Sequence, residues 1–190
     1  MDTLFSTREE WLTSALAELR PVFDANGLTL PDRIRVTCGF PSTASRSGAV
    51  GQAWASTASA DQHFEILISP VLDDRTEVLA TLIHEAVHTI PGCMNHGRPF
   101  GSAAHRMGLV QGKREWRDSV AGPTFGQTYD ALIESLGAYP HAALSMGDRK
   151  KQATRLLKAQ CGVCGYTIRL TQKWANVGLP VCTCGGNFHI

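Results

Sequence analysis

His84-Glu85-Ala86-Val87-His88 sets two imidazoles four residues apart, with a carboxylate beside the first. On a helix, residues four apart lie one turn apart on one face, so both rings can reach one ion. Zinc lowers the pKa of a bound water from ~15.7 toward ~7, and Glu85 stands where it can take the proton released. The pattern therefore has the parts of a metal-assisted hydrolase. Five-residue patterns with three fixed positions also arise by chance, and buried helical histidines often serve only hydrogen bonds. The reading thus depends on a real helix and on a third ligand.

A catalytic zinc usually takes three protein ligands and leaves a fourth position for water. Four residues downstream qualify: Cys93, His96, His105 and Glu115. Cys93 follows Pro91-Gly92 closely and reads equally as a small buried residue. His96 stands eight positions after His88, with a turn between, so the chain can return to the ion. His105 falls inside a further helix, and Glu115 would be a distant carboxylate ligand. His96 leads on spacing, with the others open.

A second set of ligands lies near the C-terminal end. Cys161-Gly-Val-Cys164 and Cys182-Thr-Cys184 are separated by 17 residues. Each pair suits a tight turn that presents two thiolates to one tetrahedral zinc, and the gap suits a hairpin. The second pair is C-x-C, a departure from the commoner C-x-x-C. Two disulfides are the competing reading. The N-terminal residues carry no basic region followed by an apolar run, which points to a reducing cytoplasm and to metal ligation.

These ligands need elements to hold them. Asp73 or Asp74 can cap a helix over 75–90, whose Val78, Leu79, Leu82, Ile83, Ala86, Val87 and Ile90 form a wide apolar stripe. Pro91-Gly92 stops it. Before it come three strand candidates, over 33–38, 50–56 and 63–69, with a Ser/Gly/Pro-rich loop over 39–48 between the first two. Ser6 and Glu9 have capping-box spacing ahead of Trp11, Leu12, Ala15, Leu16 and Leu19, with Pro21 near the end of that helix. Further helices are expected over 99–107 and 128–136. Residues 108–126 show no clear period. Over 149–159 the chain reads as a basic helical connector, and a strand is expected over 166–170. Cys38 has no evident partner and reads as a buried thiol.

With 190 residues, 43% hydrophobic and 18% charged, the chain has the composition of a soluble globular protein, one domain plus a small appendage. No apolar stretch approaches the ~20 residues a membrane crossing needs. The formal net charge of +1 is unevenly spread. Residues 1–148 carry 11 Lys+Arg against 17 Asp+Glu, a balance of −6, whereas 149–190 carry 7 Lys+Arg and no acid. Four thiolates on one zinc would leave that tail at about +5. A basic tail on an acidic body points to an anionic partner, nucleic acid first.

His84-Glu85-x-x-His88 followed by His96-Gly97-x-x-Phe100 resembles the signature of the SprT-like zinc metallopeptidases. The end of the chain, Cys-x-x-Cys-Gly-Tyr, then Arg169 and Lys173-Trp174, then Cys-x-Cys-Gly-Gly, is similar to that family's C-terminal zinc ribbon. The resemblance covers roughly residues 50–110 and 155–190, in the family's order. It implies an α+β architecture: a zincin-like metallopeptidase domain, its active-site helix packed on a small sheet, over 1–148, a connector over 149–159, and a β zinc ribbon over 160–190. It implies His84, His88 and His96 as ligands of a catalytic zinc, Glu85 as general base, and Cys161, Cys164, Cys182 and Cys184 as ligands of a structural one. Phe100 is implied to pack on the helix that follows His96.

The expected activity is a zinc-dependent endopeptidase, acting on proteins associated with DNA and recruited by the basic ribbon, in the cytoplasm. Its substrate would lie extended beside an edge strand, with residues 63–69 the first choice. Tyr166 or Trp174 would stack on an exposed base, unless Trp174 packs against the protein instead. His105, Arg106 and Tyr129 are the donors considered for a developing oxyanion. The competing readings are a non-catalytic zinc-containing nucleic-acid-binding module and a zinc hydrolase of non-peptide bonds. No membrane partner is expected.

Overall fold

The structure is a computed structural model that describes residues 4–44, 48–145 and 156–190. Two compact units follow one another along the chain, 1–145 and 146–190.

In the first unit, helix α1 (Arg8–Ala25) starts on a capping box one residue later than the sequence reading has it. Thr7 accepts from the Glu10 amide at 3.2 Å, and the Glu10 carboxylate accepts from the Thr7 and Ser6 amides. The shift leaves Glu9 free to accept from the Cys38 amide at 3.0 Å, which ties the helix to the first strand. Pro21 lies inside α1 near its end, as expected. One intrahelical bond is lost there, but Phe23 beyond it is fully buried and Asn26 caps the end.

Strands β1 (Ile34–Cys38), β2 (Gly51–Trp54) and β3 (Phe64–Ile68) form a sheet in the order β1-β3-β2, with β1 parallel and β2 antiparallel to β3. The expected edge, residues 63–69, is therefore the central strand. Its run Phe-Glu-Ile-Leu-Ile buries Ile66 and Ile68 between neighbours on both sides. The edge beside the next helix is β2.

Helix α2 (Arg75–His88) is capped by Asp74, which accepts from the Thr76 and Glu77 amides at 3.0 and 2.9 Å. It packs on β2 and β3, and ten of its fourteen residues are buried. Helix α3 (Arg98–Arg106) follows, then a hairpin of β4 (Leu109–Gly112) and β5 (Glu115–Ala121), then α4 (Phe125–Leu136). The hairpin fills the stretch that shows no period in the sequence. Its ladder shifts register between Val110 and Gly112, where a Cβ at 112 would strike the Asp118 carbonyl. Trp11, Phe23, Leu79, Ile83, Phe100 and Tyr129 anchor one core that joins α1, α2, α3 and α4 to the sheet.

The second unit is a three-stranded sheet in the order β7-β6-β8, of β6 (Leu157–Cys161), β7 (Thr167–Leu170) and β8 (Phe188–His189), with a short helix α5 (Gln172–Val177). Its buried core is Ala159, Cys161, Cys182 and Phe188. The expected helical connector falls mostly outside the described residues; its last part, Leu157 to Ala159, is strand. Alternation explains the difference, because Ala159 and Cys161 face inward while Lys158 and Gln160 face solvent. No helix among the described residues is long and apolar enough to cross a membrane.

Candidate metal centres

Helix α2 carries His84 and His88 one turn apart, 7% and 6% exposed. After the helix, Gly92 takes a φ of 83° that an L side chain rarely adopts, and the chain doubles back. His96 thereby arrives opposite α2. Its Nε2 stands 3.2 Å from Nε2 of His84 and 3.2 Å from Nε2 of His88. Nitrogens ~2.0–2.1 Å from one tetrahedral zinc would stand ~3.3–3.4 Å apart, so the spacing fits a shared ion.

Two of the rings are held from their far side, and for His88 the partner fixes what faces the cluster. His88 Nδ1 lies 2.9 Å from the Cys93 carbonyl, which only accepts, so Nδ1 carries the proton and Nε2 presents a bare lone pair. His84 Nδ1 lies 2.7 Å from Ser119 Oγ on β5. The ring of Phe100, fully buried in α3, packs against all three imidazoles at centroid distances of 4.9, 4.4 and 4.9 Å. Burial first, and then the neighbouring rings, pushes His84 down to about 3. Burial pushes His88 down to about 4. Burial first, and then the Arg117 charge, also lowers His96. Burial thus favours the neutral form of all three imidazoles, and their nitrogens, within 4.8 Å of one another, could together hold a metal ion.

Glu85 is 5% exposed and points toward the β2 edge, where the Ala53 amide donates to its carboxylate. Burial pushes this carboxyl up to about 8. A Cβ at Gly51 would collide with the carboxylate, so glycine there makes its room. The Ser69 amide donates to the Val50 carbonyl at 2.8 Å, and strand alternation then turns the polar groups of Gly51 and Ala53 away from β3 toward the cleft.

The other third-ligand candidates stay outside the cluster. Cys93 is buried and contributes only its carbonyl, His105 is exposed on α3, and Glu115 is exposed at a turn with φ 59°. The donors considered for an oxyanion are not at the site either: Tyr129 Oη donates to the Met107 carbonyl at 3.1 Å in the core, and His105 and Arg106 end α3 on the surface. Arg117 and Ser119 of β5, which sequence reasoning missed, do line the cleft.

In the second unit, Cys161 and Cys184 sulfurs stand 3.6 Å apart and those of Cys164 and Cys182 3.5 Å apart, with all four within 4.8 Å of one another. Thiolates ~2.3 Å from a tetrahedral zinc would stand ~3.8 Å apart. Gly165 and Gly185, at φ 74° and 83°, close the two turns. Amides of Cys164 and Val163 hold the Cys161 thiol down to about 6, and the Cys184 amide lowers Cys182. Cys164 moves the opposite way: the Tyr166 amide lowers it, but the neighbouring Cys184 and Cys182 sulfurs outweigh that and push it up to about 12, so Cys161 and Cys182 are the thiols set to lose a proton first. Cys38, read as a partnerless buried thiol, is half-buried with the Arg8 guanidinium 3.5 Å from its sulfur. Trp174 is 59% exposed beneath the Lys173 amine, and Tyr166 is 60% exposed.

A scan against protein-family models finds no match, and neither do searches of curated proteins and of solved structures.

Proposed function

We propose that the chain is a zinc-dependent endopeptidase with a zincin-like catalytic unit, of the kind its motifs resemble. One observation carries the reading: three neutral imidazole nitrogens converge on one point beside a buried carboxylate, and that carboxylate lies against an open sheet edge. A structural ion would need no base, and a base would need no strand edge. All three together are the parts of a peptide hydrolase.

When bound to His84, His88 and His96, zinc supplies the Lewis acidity that makes water nucleophilic and polarises a carbonyl. Glu85 takes a proton from the attacking water and returns it to the leaving amine. Its raised pKa suits both halves, because a carboxyl near neutrality accepts and releases protons at comparable cost. Substrate lies extended along β2, where the backbone groups of Gly51 and Ala53 align it. Ser119 and the Cys93 carbonyl orient the ligand rings.

The ribbon supports recruitment to DNA. Lys158 and Arg169 pair directly across β6 and β7, both exposed, so two like charges face one another without an acid anywhere in residues 149–190. A phosphate between them removes the repulsion, and Tyr166 and Trp174 offer exposed rings to a base.

Elemental analysis of wild type and His96→Ala, with cleavage of a DNA-bound protein followed alongside, tests the proposal. Two zincs per chain, one weakened or lost in the variant together with cleavage, is the expected result. One zinc in both proteins and no cleavage would leave a binding module.

A further inference from the structure

The cleft holds a cation that the chemistry above leaves unused. Arg117 and Ser119 stand two apart on β5 and so share a face of the strand. Ser119 reaches His84 at 2.7 Å, which turns that face toward α2. Arg117 lines the cavity over Thr81, His84 and Glu85, and also the adjoining one over Gly51, Ala53, His88 and His96.

The nearby acid is already engaged. Asp118 faces Arg114 at 3.6 Å and accepts from the Arg114 amide at 2.7 Å. Glu85 is turned to the Ala53 amide. Among the described residues Arg117 has no carboxylate partner. A cation next to a divalent ion site repels the ion unless negative charge comes between them, and hydrolysis of an amide creates such a charge on the carbonyl oxygen.

Resting on the peptidase reading, we infer that Arg117 is a catalytic residue whose guanidinium binds the scissile carbonyl oxygen and stabilises its developing negative charge. In the step it serves, water oxygen bonds to the carbonyl carbon while Glu85 takes the proton. The C=O π pair moves onto oxygen, where Arg117 donates hydrogen bonds. As the pair returns, the C–N bond breaks and the amine leaves with the proton from Glu85.

The test compares wild type, Arg117→Ala, Arg117→Lys and Glu85→Gln, all zinc-loaded, on an internally quenched peptide. Binding of a phosphinic peptide, whose tetrahedral anion mimics the charged oxygen, is measured by calorimetry. Expected for Arg117→Ala is a kcat loss of ~10²–10³-fold with KM nearly unchanged, weaker phosphinate binding, and wild-type zinc content. Arg117→Lys should restore part of the rate. Wild-type kcat and phosphinate affinity in Arg117→Ala, with Glu85→Gln inactive, would overturn this assignment alone. A KM effect confined to peptides with a free C-terminal carboxylate would overturn it in favour of a substrate anchor. A wild type that neither cleaves nor binds phosphinate would overturn the peptidase reading and this assignment with it.

Discussion

His88 shows how a single contact decides a ligand's chemistry. Because its Nδ1 must donate to the Cys93 carbonyl, its other nitrogen faces the cluster unprotonated. Ser119 Oγ, which can donate or accept, holds the His84 ring in place from β5 without choosing its tautomer. Replacing Ser119 by Ala is therefore expected to weaken zinc binding at the histidine site by ~10–100-fold, measured against a chromophoric chelator; unchanged affinity would show that the hydroxyl does not orient the ring. Glu85 carries a second prediction, for the zinc-free protein. Its carboxyl, held up to about 8 by burial, keeps its proton over a range in which the unfolded chain, at ~4.3, has lost it. The associated stability is full below ~4.3 and is lost as pH rises through 8. Melting of zinc-free Glu85→Gln should accordingly depend less on pH than that of wild type between pH 5 and 9, and parallel curves would contradict this. The motif histidines, Glu85 and the four cysteines were legible because their spacing is local. Ser119 was not, because its partner lies 35 positions away and nothing around it marks a strand.

At the scale of elements, α2 could be read from its cap, its stripe and Pro91-Gly92, and it ends at His88, two residues before the expected Ile90. Which strand is the edge was misjudged. Pairing order is set by tertiary contacts, and the apolar run of β3 signals burial on both sides better than it signals an edge. The β4–β5 hairpin was illegible for a related reason: its residues are mostly half-buried or exposed and its ladder is irregular. The edge position of β2 makes Gly51 a sensitive point. Gly51→Ala should displace the Glu85 carboxylate and lower kcat/KM by ~10²-fold while zinc content stays at the wild-type level. Wild-type activity in that variant would mean that β2 and Glu85 are not held as tightly as their contact implies.

At the scale of the whole chain, the two units differ in what can hold them together. The first has a continuous apolar core across four helices and a sheet, whereas the second, among the described residues, has a buried core of four side chains, two of them cysteines. On the proposal that the four cysteines hold a zinc, thiolate–metal bonds supply most of the folding energy of the second unit. Strong chelation should collapse the amide dispersion of residues 156–190 in NMR spectra while leaving that of 4–145 largely intact, and retention of both sets would contradict the assignment of a structural metal. The acidic body and basic tail were plain from the sequence; the two like charges facing across β6 and β7 emerged only with the register.

The most direct measurement is hydrolysis of an unfolded protein by wild type and Glu85→Gln matched for zinc content. Cleavage by wild type and a rate lower by ~10²–10⁴-fold in the variant, with two zincs in each, is the predicted result. Equal rates, or cleavage by neither, would contradict the claim that Glu85 activates water at this centre.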